Sequence, residues 1–150
     1  MDVLTKEQRK KNMQAIKSKE TKDEILLAKT LWQRGHRYRK NDKTVFGKPD
    51  LTFKRRMLAI FVDSEYFHGK DWEKEKHRIQ TNRAFWWSKI ENNIERDRLV
   101  NERLVSTGWK VLRFWSKEIR KNLANCVYTI ELTLISQDGN LQQNKAGSRH

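Results

Sequence analysis

Pro49 is the only proline of the chain, and it stands directly before an aspartate in "FGKPDLTF". A proline fixes its own φ and holds the residue before it extended, so Asp50 is delivered at a set place where a strand begins. The chain then turns through Lys54-Arg55-Arg56 and returns as the apolar run Met57 to Val62, closed by Asp63. This pattern predicts a hairpin with a carboxylate on each strand, the outline of a metal site. Strand alternation puts Asp50 and Thr52 on one face, Leu51 and Phe53 on the other. Phe61 and Asp63 share a face in the return strand, and a hairpin register can bring Asp50 and Asp63 to one side of the sheet.

The flanking segments supply the layers. Residues 5–18 read as a basic helix with Met13 and Ile16 as anchors. Thr21 and Glu24 form a capping box that opens a helix ending at Gly35. His36–Lys40 reads as a short exposed strand, Asn41-Asp42 as a turn, and 64–80 as a loop with one helical turn at most. A long helix is expected from about Thr81 to Thr107, a strand over 109–115, and a last helix from an N-cap at Ser116 through about Ile135. The order predicts an α/β domain of three layers, a small mixed sheet flanked by helices. Residues 1–20 are then a basic helical arm, 21–136 the core domain and 137–150 a polar, frayed tail.

Charge narrows the partner. Lys and Arg number 33 against 19 Asp and Glu, a net charge of +14. An excess of this size with no membrane-length apolar stretch favours a polyanion, above all nucleic acid. Six tryptophans and 36% hydrophobic residues mark a folded chain in spite of the charge. A lone cysteine, Cys126, excludes an internal disulfide and an all-cysteine zinc site, and its apolar neighbours predict a core position. The charged N-terminus has no signal peptide character, and a cytoplasmic location is expected.

Further acids turn inwards. Asp97 lies on the helical stripe of Trp86, Ile90, Ile94 and Leu104, and Glu24 shares a face with Leu27, Ala28 and Leu31. Each acid has a plainer reading: a turn cap for Asp50, a strand end for Asp63, the capping box for Glu24, a buried arginine partner for Asp97. Together, in a strongly basic chain, they suit phosphodiester cleavage. That chemistry needs oxygen ligands for a hard cation such as Mg²⁺ and basic surroundings for the backbone. His68, just beyond Asp63, is the candidate general base. Tyr66, Phe67, Trp72, Trp86 and Trp87 lie among Lys and Arg, and such rings can wedge between or stack on bases. Core packing is the simpler reading for Trp86, Trp109 and Trp115.

The stretches "RKKNMQAIKSKETKDE", "FGKPDLTF", "AIFVDSEYFHG", "FWWSKIENNIERD" and "GWKVLRFW" resemble, in order and spacing, the very short patch repair (Vsr) endonucleases over residues 9 to about 120. The resemblance implies a restriction-endonuclease-like core of the PD-(D/E)xK type that uses Mg²⁺, or Mn²⁺, to nick double-stranded DNA at T:G mismatches. It implies that Asp50 and the carbonyl of Val62 bind the metal, with Asp63 nearby as a further candidate. His68 is then the catalytic histidine, and Glu24 and Asp97 support the metal waters and the histidine. Tyr66, Phe67 and Trp86 fall where family aromatics wedge into the duplex. The basic segment carrying Lys10, Lys11, Asn12 and Met13 is expected to lie on DNA. Two departures stand out. Asp63 replaces a histidine common in the family, and Glu65, Asp71 and Lys117 stand about where the best-known members hold a structural zinc. No structural zinc is expected here, and the protein is expected to be a monomer. A related restriction-associated nuclease without mismatch preference, or a basic DNA-binding module with a decayed site, are the alternatives.

Overall fold

The computed structural model describes residues 21–147, with side chains to residue 139. The basic segment at 5–18, with Lys10, Lys11, Asn12 and Met13, lies outside the described residues. Helix α1 (Lys22–Gln33) starts as its sequence predicts: extended Thr21 accepts the Glu24 N–H on its hydroxyl at 3.3 Å. The stripe of Glu24, Leu27, Ala28 and Leu31 is buried. Four strands follow in the spatial order β1-β2-β3-β4: Arg39–Lys40, Leu51–Phe53, Leu58–Asp63 and Lys110–Trp115. The β2–β3 hairpin pairs Leu51 with Ile60 and Phe53 with Leu58. β4 joins β3 in parallel, with Phe61 opposite Arg113 and Asp63 opposite Trp115. A parallel pair needs a crossover, and this one carries α2 (Trp72–Glu75), a short 3₁₀ turn (Lys76–Arg78) and α3 (Arg83–Ser106). After β4 come α4 (Ser116–Lys121) and α5 (Leu123–Gly147).

The layers follow from strand alternation. Leu51, Phe53, Leu58, Ile60, Val62 and Phe114 face a core completed by Leu27, Leu31, Ile119, Ile130 and Leu134 from α1, α4 and α5, with Cys126 inside it. The opposite face sets Ala59 and Phe61 against Val45 and against Val100 and Leu104 of α3. All six residues of β3 are buried, as a central strand covered on both sides requires. This is the expected three-layer α/β arrangement with a mixed sheet.

Two sequence-predicted boundaries are corrected. The last helix is two helices broken at Asn122, and α5 continues past Ile135 to Gly147. Its polar continuation is tied to the β2–β3 turn. Gln137 Nε2 donates to the carbonyl of Arg56 at 2.9 Å, and Asp138 pairs with the Arg56 guanidinium at 2.9 Å. Ser116 is the first residue of α4 rather than its cap, and the preceding Trp115 N–H donates to Glu118. Among the described residues no helix is long and apolar enough to cross a membrane.

Candidate active site

Asp50, Val62, Asp63, His68 and Asp97 line one cavity of about 320 Å³, on the face of the sheet that α3 covers. Lys48, Lys89, Arg96 and Arg113 line it too. Asp50 leads directly into β2, and its Oδ2 accepts the Val62 N–H at 2.7 Å, so the carboxylate is fixed against β3. Burial, then the neighbouring charge of Glu24, push the Asp50 carboxyl up to about 7. Glu24 is outside the lining of the cavity but buried at 3% exposure, and close enough to act on Asp50 through space.

Asp63 closes β3 on the same face as Phe61. Its two oxygens each lie 3.1 Å from Arg113 Nη1. Burial raises its pKa, against the opposing pull of Arg113 and His68. His68 Nδ1 lies 2.6 Å from Asp97 Oδ2 and 3.7 Å from Asp63 Oδ1. Burial alone would lower the histidine's pKa, but the hydrogen bond to Asp97 and the charges of both acids outweigh it, and the net shift is upward. A histidine oriented by a carboxylate on one ring nitrogen, with the other available, has the form of a proton-transfer group. Asp97 does sit on the inward stripe of α3, and the partners it finds there are His68 and Arg113, whose Nη1 is 3.5 Å from its Oδ1.

The loop after β3 is held through its main chain and the Glu65 side chain. The His68 N–H donates to the Ser64 carbonyl at 3.0 Å, and Asn93 of α3 donates to the carbonyl of Phe67 at 3.0 Å. Glu65 accepts the Lys117 N–H at 2.7 Å, fastening the loop to the start of α4. Gly69 has φ +65°, and a β-carbon there would overlap the Ile94 side chain and reach Ile90. Gly69→Ala is therefore expected to cost about 2–3 kcal/mol in chemical denaturation, from left-handed strain plus overpacking. Because His68 is the adjacent residue, the variant should also lose activity beyond its loss of stability, measured well below its melting temperature.

The loop carries the aromatic groups. Tyr66 meets Phe67 at 5.2 Å and Trp86 at 5.7 Å, and Phe67 meets Trp86 at 6.1 Å between ring centres. Phe67 lines the acidic cavity, whereas Tyr66 and Trp86 line a neighbouring one of about 640 Å³. Trp86, read above as core, is only half-buried: it packs against the loop rings and belongs to neither buried cluster, and Phe85 beside it is 57% exposed. Trp72 stands apart from this cluster, edge-on to Trp87 at 6.2 Å, although it lines the second cavity.

Sequence reading missed the cationic lining residues Lys48, Lys89 and Arg96, and two residues that hold the site together, Asn93 and Arg113. Asn93 carries no signal beyond its place on α3. Arg113 could have been found by strand alternation, which puts it with Val111 and opposite Phe61, on the same face as Asp63.

The family model described as DNA mismatch endonuclease Vsr matches residues 1–74. A Haemophilus parainfluenzae protein, "Type II nicking enzyme V.HpaIIP", is 58% identical over 123 residues, covering 81% of this chain and 87% of that protein. "Type II nicking enzyme V.NmeDIP" of Neisseria meningitidis serogroup C is 52% identical, covering 93% and 94%. "DNA mismatch endonuclease Vsr" of Escherichia coli strain K12 is 35% identical, covering 79% and 76%. Likeness of this extent, added to the acidic cavity on a mixed α/β sheet, settles the relationship: the chain belongs to the Vsr family of DNA endonucleases.

Proposed function

We propose that the protein nicks one strand of double-stranded DNA beside a T:G mismatch, using a divalent cation. The observation that carries this reading is the adjacency of two groups. The acidic cavity with its His68–Asp97 pair lies directly against the Tyr66–Phe67–Trp86 cluster, and Phe67 belongs to both. Rings inserted into a duplex from this loop would sit within reach of the phosphate being cut.

The donor set suits a hard cation. The Asp50 carboxylate is held at the cavity by a main-chain N–H, and the donors that share the cavity are the carboxylates of Asp63 and Asp97 and the imidazole of His68, with no thiolate among the lining residues. Asp50 and the carbonyl of Val62 would hold Mg²⁺ or Mn²⁺, which when bound polarises the phosphate and offsets its developing negative charge. Asp63 is engaged with Arg113, and we do not count it among the ligands. His68, oriented by Asp97, takes the proton from the attacking water. Lys48, Lys89 and Arg96 at the cavity receive the backbone phosphates.

Mismatch selectivity has a physical source in the wedge. Opening a base step costs a few kcal/mol, and less where the pair is already mismatched. A T:G duplex should therefore be nicked on its thymine strand much faster than the same duplex fully paired. Phe67→Ala should reduce this preference more than it reduces binding, because the phosphate contacts remain. Equal rates on the two duplexes would instead favour a nuclease of this family with a different target.

A further inference from the structure

Arg113 is placed where it governs the catalytic pair without being part of it. Its guanidinium lies 4.0 Å over the ring of Phe61, and its Nε donates to Asn101 Oδ1 at 2.7 Å. The remaining edge faces two acids: Nη1 is 3.1 Å from both Asp63 oxygens and 3.5 Å from Asp97 Oδ1. Asp63 is 7% exposed in its side chain and Arg113 18%, so the charges meet largely out of water.

His68 has two acids to choose between. Ligand-type atoms of Asp63, His68 and Asp97 all lie within 4.8 Å of one another, yet Nδ1 is 2.6 Å from Asp97 and 3.7 Å from Asp63. A buried carboxylate with no cationic partner seeks the nearest proton donor. For Asp63 that donor would be His68 Nδ1. The arginine removes this competition by occupying both Asp63 oxygens. We propose that Arg113 is a positioning residue that commits the His68 imidazole to Asp97 and so fixes the tautomer and orientation in which His68 works. This rests on the reading of His68 as the catalytic histidine. It also explains how the chain carries an aspartate at position 63: the acid is tolerated because strand β4 brings its own cation.

The pairing makes a prediction that a merely structural salt bridge would not. Removing the arginine alone leaves Asp63 free to capture His68, whereas removing both charges leaves Asp97 as the one acid against His68 Nδ1 among the described residues. Arg113→Gln should therefore lower kcat for nicking by about 100-fold, the scale of a misplaced catalytic group, with KM changed little. Arg113→Gln combined with Asp63→Asn should recover at least about tenfold over the single variant. In parallel, the Nδ1–H proton of His68, hydrogen-bonded to a carboxylate, should give a resonance far downfield in spectra of the DNA-free, metal-free protein. That signal should shift or vanish in Arg113→Gln and return in the double variant. Persistence of the wild-type signal in Arg113→Gln, or its continued absence in the double variant, overturns the proposal. Should Arg113→Gln fail to melt cooperatively, the double variant decides alone, by the presence or absence of the signal. Because the spectra need no DNA, wild-type protein that fails to nick T:G duplexes counts against the functional reading and leaves this test standing.

Discussion

Asp50→Asn is expected to do two opposite things: abolish nicking and stabilise the protein. The carboxylate is the principal protein ligand in the proposed mechanism, and its loss should remove at least about 10³-fold of the rate, consistent with the several kcal/mol a metal ion supplies to the charged transition state. DNA binding, which depends on the basic side chains, should survive. The stability effect follows from the pKa. Burial raises the Asp50 carboxyl to about 7. A raised carboxyl favours the folded state fully below its ordinary range near 4, and that contribution is lost as pH climbs through 7. Above pH 7 the metal-free protein must hold a buried charge that asparagine does not carry. Metal-free Asp50→Asn should therefore exceed wild type by about 2–4 kcal/mol at pH 8, with the gap shrinking towards pH 4. Denaturant melts in EDTA at the two pH values measure it directly. Added Mg²⁺ should raise the stability of wild type at pH 8, by about 2.7 kcal/mol at 100 times its Kd, and leave Asp50→Asn unmoved. Equal stability of the two proteins at pH 8, or full nicking activity in the variant, would remove Asp50 from the role given to it.

Salt should act on binding more strongly than any single substitution. The chain carries 33 Lys and Arg and a net charge of +14. Each phosphate neutralised releases condensed counterions, so log K falls with log salt at a slope of about −0.9 per phosphate. With about 6–10 phosphates engaged, affinity should drop by roughly 10³–10⁵ between 50 and 200 mM salt. Lys89→Ala, at the cavity, should weaken binding to every sequence and reduce the slope by about one. Fluorescence anisotropy over a salt series gives both quantities. A flat slope would mean that the positive charge serves some partner other than DNA.

Much of the site was legible because its signals are local. The Pro49-Asp50 dipeptide, the capping box at Thr21, the acid ending β3 and the inward position of Asp97 on a helical stripe can each be read within one turn or one strand. The structure brings Asp50, Asp63, His68 and Asp97 to a single cavity, as strand and helix parity suggested. What failed to show depends on distant partners. Arg113 has its meaning only through Asp63, fifty positions earlier in the chain. The continuation of α5 looked like a polar tail, since nothing in "SQDGN" reveals that Gln137 and Asp138 find Arg56 across the fold. Trp86 fitted an apolar stripe by spacing, but periodicity does not tell that this turn of the helix meets the aromatic loop rather than a buried cluster.

The loop that carries the aromatic rings is fixed by bonds that use neither ring: Ser64 O accepts from His68 N, Phe67 O accepts from Asn93, and the Glu65 side chain accepts from Lys117 N. Asp50 likewise rests on the N–H of Val62. None of these bonds uses the side chain at 66 or 67, so those two residues can be exchanged during evolution while the frame that aims them persists. On the proposed wedge mechanism, target choice is then free to drift at two ring positions while the cutting apparatus is inherited unchanged. A lineage of strand-cutting enzymes could thus diversify its substrates by changes smaller than those needed to build a new fold.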